Sequence, residues 1–218
     1  ADGSKLIITP SDAANLRYRR PDGSSGRLFR QADGSYLSGA GWASKESPDV
    51  FASFNCKAGT VQFTEKGTVT RGKRIPFPVI STPFTSKGAS LYGELYLPAG
   101  AKAKAVVVLQ FGSGRESAIV FNFLQYLLPL KDIAVFVFDK RGTGKSGGSY
   151  TASFTTMAGD MAAAVKAVKG IPAIKGLPVG IMGESQGGWV VPATASLVDV
   201  DFVIASYGLA ISPREENR

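Results

Sequence analysis

The sequence predicts an α/β domain with a mostly parallel sheet, preceded by a small antiparallel β-domain. Two observations carry this. From about residue 83 onward short apolar runs alternate with helical stretches. Two of those runs, Val106-Val107-Val108-Leu109 and Ile133-Ala134-Val135-Phe136-Val137-Phe138, are apolar without alternation, as strands are when both faces of a parallel sheet are covered. Before about residue 80 the pattern is instead one of hairpins, short alternating segments broken by Gly, Asp and Pro turns. The expected division is residues 1–80 and 81–218.

In the front part, residues 16–20 and 27–31 read as strands on either side of Pro21-Asp22-Gly23-Ser24-Ser25-Gly26, and Ala32-Asp33-Gly34 turns before Tyr36 and Leu37. Trp42, Phe51 and Phe54 read as apolar filling of the small sheet. Residues 61–64 alternate, Glu65-Lys66-Gly67 turns, residues 68–70 follow, and Pro76 and Pro78 mark a linker or edge. In the back part, residues 83–87 and 89–97 read as two strands joined at Gly88. The order is then strand 105–111, helix 117–130, strand 133–139, helix 157–168, strand 179–183, helix 186–197 and strand 202–206. Ser212-Pro213-Arg214-Glu215 reads as a helix start, with a capping serine, a proline at the first helical position and a glutamate reaching back. The sequence stops at Arg218, so the expectation is a piece of a longer chain.

Composition narrows the function classes. With 218 residues and 44% hydrophobic content the chain buries a sizeable core, and no apolar run is long enough to span a bilayer. The polar, alanine-first start is what removal of a leader leaves, and a periplasmic or secreted location is expected ahead of a cytoplasmic one. One cysteine, Cys56, excludes an internal disulfide and a Cys-based zinc cluster, and reads as a small buried apolar residue. The net charge of +8 is scattered or held in two short groups, Arg17-Tyr18-Arg19-Arg20 and Arg71-Gly72-Lys73-Arg74. They read as solvated faces, so no nucleic-acid partner is expected.

The chemistry-bearing stretch is Val179-Gly180-Ile181-Met182-Gly183-Glu184-Ser185-Gln186-Gly187-Gly188-Trp189. A short apolar run, then Gly-x-Ser-x-Gly, then small residues entering an apolar segment, is the pattern of a strand turning sharply into a helix with serine at the apex. The turn brings strand and helix close together, which is why small residues are needed two before and two after the serine. Ser185 is the candidate nucleophile, and the Gln186 N–H faces the same space at a helix N-terminus. Gln110-Phe111-Gly112-Ser113-Gly114 ends an earlier strand, and beside the serine turn it offers a second oxyanion donor, the Ser113 N–H.

Asp139-Lys140-Arg141-Gly142-Thr143-Gly144-Lys145-Ser146 ends like a phosphate-binding loop. It carries Asp139 where that loop needs glycine, so nucleotide binding is not expected. Asp160, Asp199 and Asp201 read as helix-start or loop groups, not as a catalytic acid, and neither a metal nor an organic cofactor is implied. The sequence contains no histidine. A serine hydroxyl is a weak nucleophile that needs an adjacent base, so either the base lies outside these residues or the site is silent.

Taken together, residues 109–114, residues 139–148 and the Gly183–Gly188 turn resemble the α/β-hydrolases, in particular the serine aminopeptidase and dienelactone hydrolase branches, over about residues 83–211. The family's oxyanion loop usually begins His-Gly, whereas Phe111 precedes Gly112 here. The resemblance implies a serine hydrolase, a carboxylesterase first and a peptidase second, acting on a small-molecule ester or peptide. It also implies a histidine and an acid after later strands, beyond a lid that begins near Ser212. A catalytically silent domain serving as a binding or scaffold protein is the reading from another class. The apolar strand 202–206 would lie at the sheet edge, and a second polypeptide or copy is expected to cover it.

Overall fold

The computed structural model describes residues 3–39 and 44–208. Contacts divide the chain into two compact units, Ala1–Pro76 and Phe77–Arg218.

The first unit is an antiparallel meander of β1 (Ile7–Pro10), β2 (Leu16–Arg19), β3 (Ser25–Arg30), β4 (Tyr36–Ser38), β5 (Val50–Asn55), β6 (Thr60–Glu65) and β7 (Thr68–Lys73), each paired with its neighbour in sequence. Alternation decides which residues form its core. Val50 and Ala52 of β5 point inward with Tyr18, Leu28 and Phe63. Phe51 therefore faces solvent, and its expected place in the core is corrected by the two-residue period of the strand. Phe54 meets Tyr36 edge to face, ring centroids 5.5 Å apart, while Trp42 lies outside the described residues. Cys56 is exposed in the turn after β5, not buried as its residue type suggested. Of the basic groups, Arg71 and Lys73 extend from the exposed strand β7. Arg20 instead packs over the Tyr18 and Phe63 rings and bonds Glu65 at 3.0 Å.

The second unit contains a mixed sheet in the order β13-β12-β10-β11-β9-β8, built from β8 (Val79–Ser86), β9 (Ala89–Tyr96), β10 (Ala105–Gln110), β11 (Ile133–Phe138), β12 (Val179–Glu184) and β13 (Phe202–Ser206). The run β13-β12-β10-β11 is parallel, and β9 and β8 are antiparallel. The sheet is thus mixed, because β8 and β9 form a hairpin through Lys87 and Gly88. Both residues have positive φ (44° and 76°), as a tight two-residue turn requires. Pro83 sits in the edge strand β8, where its missing donor is tolerated.

Long helices are α3 (Phe154–Lys169), capped by the Ser153 side chain on Thr156 N–H, and α4 (Gln186–Ala195). Residues expected as one helix, 117–130, are broken into α1 (Ala118–Phe121), α2 (Leu124–Leu127) and a 3-10 turn. Asn122 makes the break: it leaves helical geometry (ψ 134°), and its side-chain oxygen accepts the Leu124 N–H at 2.9 Å. Met161, Val165, Val168 and Val190 pack on one face of the sheet with Val106, Val108 and Phe136. Strand β13 pairs with β12 alone among the described residues, and Val203 and Ile204 on it are about two-fifths exposed. The expected helix start at Ser212 lies outside the described residues.

Candidate active site

Strand β12 lies between β10 and β13, so its carboxyl end opens at the middle of the parallel run. Ser185 follows it directly with φ 52° and ψ −124°, a conformation L-residues rarely adopt, and α4 begins at the next residue. Backbone bonds hold it there. The Ser185 N–H donates to the Ser206 carbonyl at 3.0 Å, and the Ser185 carbonyl accepts the Gly188 N–H at 2.7 Å. The close approach of strand and helix explains the glycines. A Cβ on Gly183 would stand 2.2 Å from the Gly187 carbonyl oxygen, and one on Gly187 would stand 2.7 Å from the Gln110 carbonyl oxygen.

Ser185 is exposed at the rim of a cleft of about 180 Å³. Leu109, Leu124 and Met182 supply its apolar lining, and Gly112, Gly114 and Asn122 line it as well. Gly112 lies beside the serine, since a Cβ there would stand 3.7 Å from the Ser185 Cβ. Of the residues singled out in the sequence, Ser185 and Gln186 are adjacent at the start of α4, where no side chain caps the first N–H groups. Ser113 is exposed and does not itself line the cleft, although both its neighbours do. Its carbonyl accepts a hydrogen bond from the Tyr150 hydroxyl at 2.9 Å.

The loop after β11 is organised by a buried carboxylate. Asp139 accepts the Ser117 hydroxyl at 2.7 Å through one oxygen and the Lys145 N–H at 2.9 Å through the other. A Cβ on Gly144 would stand 1.9 Å from the latter oxygen. The carboxylate thus fills the hollow in which a phosphate-binding loop would offer N–H groups. Next to it, Lys140 is buried and donates to the Gly112 carbonyl at 2.6 Å. Burial pushes its ammonium below the ordinary lysine value, and the Glu116 charge pulls in the other direction.

Asp160 is not at a helix start. It lies midway along α3, buried, and both its oxygens accept from Arg141 at 2.8 and 2.6 Å. Asp201 accepts the Val179 N–H at 2.7 Å. Because side-chain exposure in the Arg141–Asp160 pair is only 14% and 4%, Asp160→Ala strands a nearly buried guanidinium, and should cost about 3–5 kcal/mol in chemical denaturation. A loss under about 1 kcal/mol would show that water reaches the pair.

Lys140, Tyr150 and Asn122 were missed in the sequence. The signal for Lys140 was available, a cation two positions after a wholly apolar strand. Among the described residues no cluster of His, Cys, Asp and Glu could hold a metal, and no helix is long and apolar enough to cross a membrane.

Residues 101–203 match the family described as serine aminopeptidase, S33. The second unit has the α/β-hydrolase fold. The esterase Pf2001 of Pyrococcus furiosus is 25% identical with a TM-score of 0.51, over 62% of this chain and 54% of that one. Protein PA2218 of Pseudomonas aeruginosa is 24% identical with a TM-score of 0.51, over 60% and 42%. The chain thus spans about half the length of these two proteins. None of the curated proteins compared shows significant similarity to it.

Proposed function

We propose that this α/β-hydrolase is a serine hydrolase acting by acyl transfer, a carboxylesterase, in which a front β-domain precedes the hydrolase domain. The observation that carries the proposal is the backbone of Ser185, held at φ 52° between a central parallel strand and a helix N-terminus, at the rim of an apolar cleft. In this reading the Ser185 hydroxyl attacks the ester carbonyl carbon while a base takes its proton. The carbonyl oxygen becomes an oxyanion received by the Gln186 and Ser113 N–H groups. Collapse breaks the bond to the alcohol, which leaves with that proton. Water then attacks the acyl-enzyme in the same way, releasing the acid and restoring the serine. The base is a histidine, oriented by an acid, from a segment outside these 218 residues, since the sequence holds none. That segment would also pair along the apolar edge of β13.

The description of the matching family favours a second reading, in which the same acyl transfer opens a peptide bond. The two separate by comparing p-nitrophenyl butyrate with aminoacyl p-nitroanilides as substrates of the protein made from its full reading frame. The ester should be turned over far faster. Preference for the anilides would make it a peptidase, and turnover of neither would favour a silent binding domain.

A further inference from the structure

The loop Gly112-Ser113-Gly114, whose two glycines line the cleft together with Ser185, has a glycine on either side of the proposed oxyanion donor. Glycines reorient at low cost, so nothing local to the loop fixes which way its peptide groups point. Two side chains from beyond β11 do so. Lys140 Nζ donates to the Gly112 carbonyl at 2.6 Å, and the Tyr150 hydroxyl donates to the next carbonyl, that of Ser113, at 2.9 Å.

The peptide joining Gly112 to Ser113 contains the Gly112 carbonyl and the Ser113 N–H, and in a trans peptide these point in opposite directions. Holding the carbonyl toward Lys140 therefore turns the Ser113 N–H away from Lys140. The second hydrogen bond fixes the following peptide in the same manner. The clamp is itself braced, because the Tyr150 ring lies under the Arg115 guanidinium at 4.5 Å and the Lys140 ammonium at 5.2 Å. Lys140 forms no salt bridge among the described residues, and burying an ammonium is costly even with the Glu116 charge and the Phe111 and Tyr150 rings nearby. That the one hydrogen bond of this buried cation goes to a carbonyl of a Gly-Ser-Gly loop is explained by what that carbonyl controls.

We propose that Lys140 and Tyr150 are positioning residues for acyl transfer, which by holding the Gly112 and Ser113 carbonyls fix the oxyanion loop and aim the Ser113 N–H at the substrate's developing oxyanion. The proposal rests on the serine-hydrolase reading above and adds to it the residues that set the donor's direction.

The test compares Lys140→Met and Tyr150→Phe with wild type, in the protein from its full reading frame, on matched p-nitrophenyl esters carrying C=O or C=S. Sulfur accepts hydrogen bonds poorly, so the preference for the oxygen ester reports how well the donors are aimed. Each variant should lose about tenfold or more in kcat on the oxygen ester, with KM within about twofold. This is less than the roughly 10²–10³ lost when a donor is removed outright. The preference for oxygen over sulfur should shrink by a similar factor. Should Lys140→Met fail to fold, Tyr150→Phe still decides, since it removes one hydroxyl from a half-buried ring. Ser185→Ala run in parallel keeps the two claims apart. If it abolishes turnover while both clamp variants keep the wild-type kcat and oxygen preference, the clamp is wrong and the hydrolase reading stands. If it leaves turnover intact, both fall.

Discussion

Replacing Ser185 with alanine should reduce ester hydrolysis by about 10⁶-fold in kcat in the complete protein, leaving only the roughly 10³–10⁴ over uncatalysed water that binding and oxyanion donors supply. The fold should hardly notice. The serine is exposed, its pinning bonds to Ser206 and Gly188 are made by its backbone, and alanine keeps that backbone and meets the same positive φ. Unfolding free energy should therefore change by no more than about 0.5 kcal/mol. Loss of activity at constant stability would assign the hydroxyl to chemistry, whereas a parallel loss of both would reduce it to a structural element.

Gly183→Ala should behave in the opposite way and destabilise the hydrolase unit by about 3 kcal/mol or more. Overpacking a core usually costs about 1–3 kcal/mol because side chains yield. Here the added carbon would stand 2.2 Å from a backbone oxygen and 2.4 Å from a backbone carbon of Gly187, so the first turn of α4 would have to leave the strand. Such a loss is a large part of the roughly 5–15 kcal/mol that holds a domain folded. Gly112→Ala is the internal control. Its added carbon would meet nothing nearer than 3.6 Å, and the unfolding midpoint should stay within about 1 kcal/mol of wild type. Equal stability of Gly183→Ala and Gly112→Ala would contradict the packing argument.

The parts of this molecule that the sequence made legible are those with strong periodicity or strict local demands. The apolar runs at Val106 and Ile133 are central strands, and the Gly-x-Ser-x-Gly stretch is a strand–helix turn, because close packing of backbone on backbone leaves no other residue at Gly183. What was missed is set by pairing and long-range bonds. The two strands joined at Gly88 were legible and form the β8–β9 hairpin, but the pairing of β9 antiparallel to β11, far along the sequence, makes the sheet mixed and lies outside any local pattern. Asn122 breaks a segment with good helical periodicity by one side-chain hydrogen bond. Cys56 and Phe51 were placed inside on residue type alone, whereas strand phase and a turn put them outside. Lys140 and Tyr150 act on residues 28 and 37 positions earlier, so no short motif could announce which carbonyls they hold.

The proposed chemistry requires Ser185 to be an activated nucleophile, and covalent capture measures that most directly. The protein from its full reading frame is incubated with a fluorophosphonate, digested, and the modified peptide sequenced by mass spectrometry. The structure predicts a single adduct on Ser185 that forms within minutes and disappears in Ser185→Ala. An adduct on any other serine, or labelling that survives the alanine substitution, would contradict it.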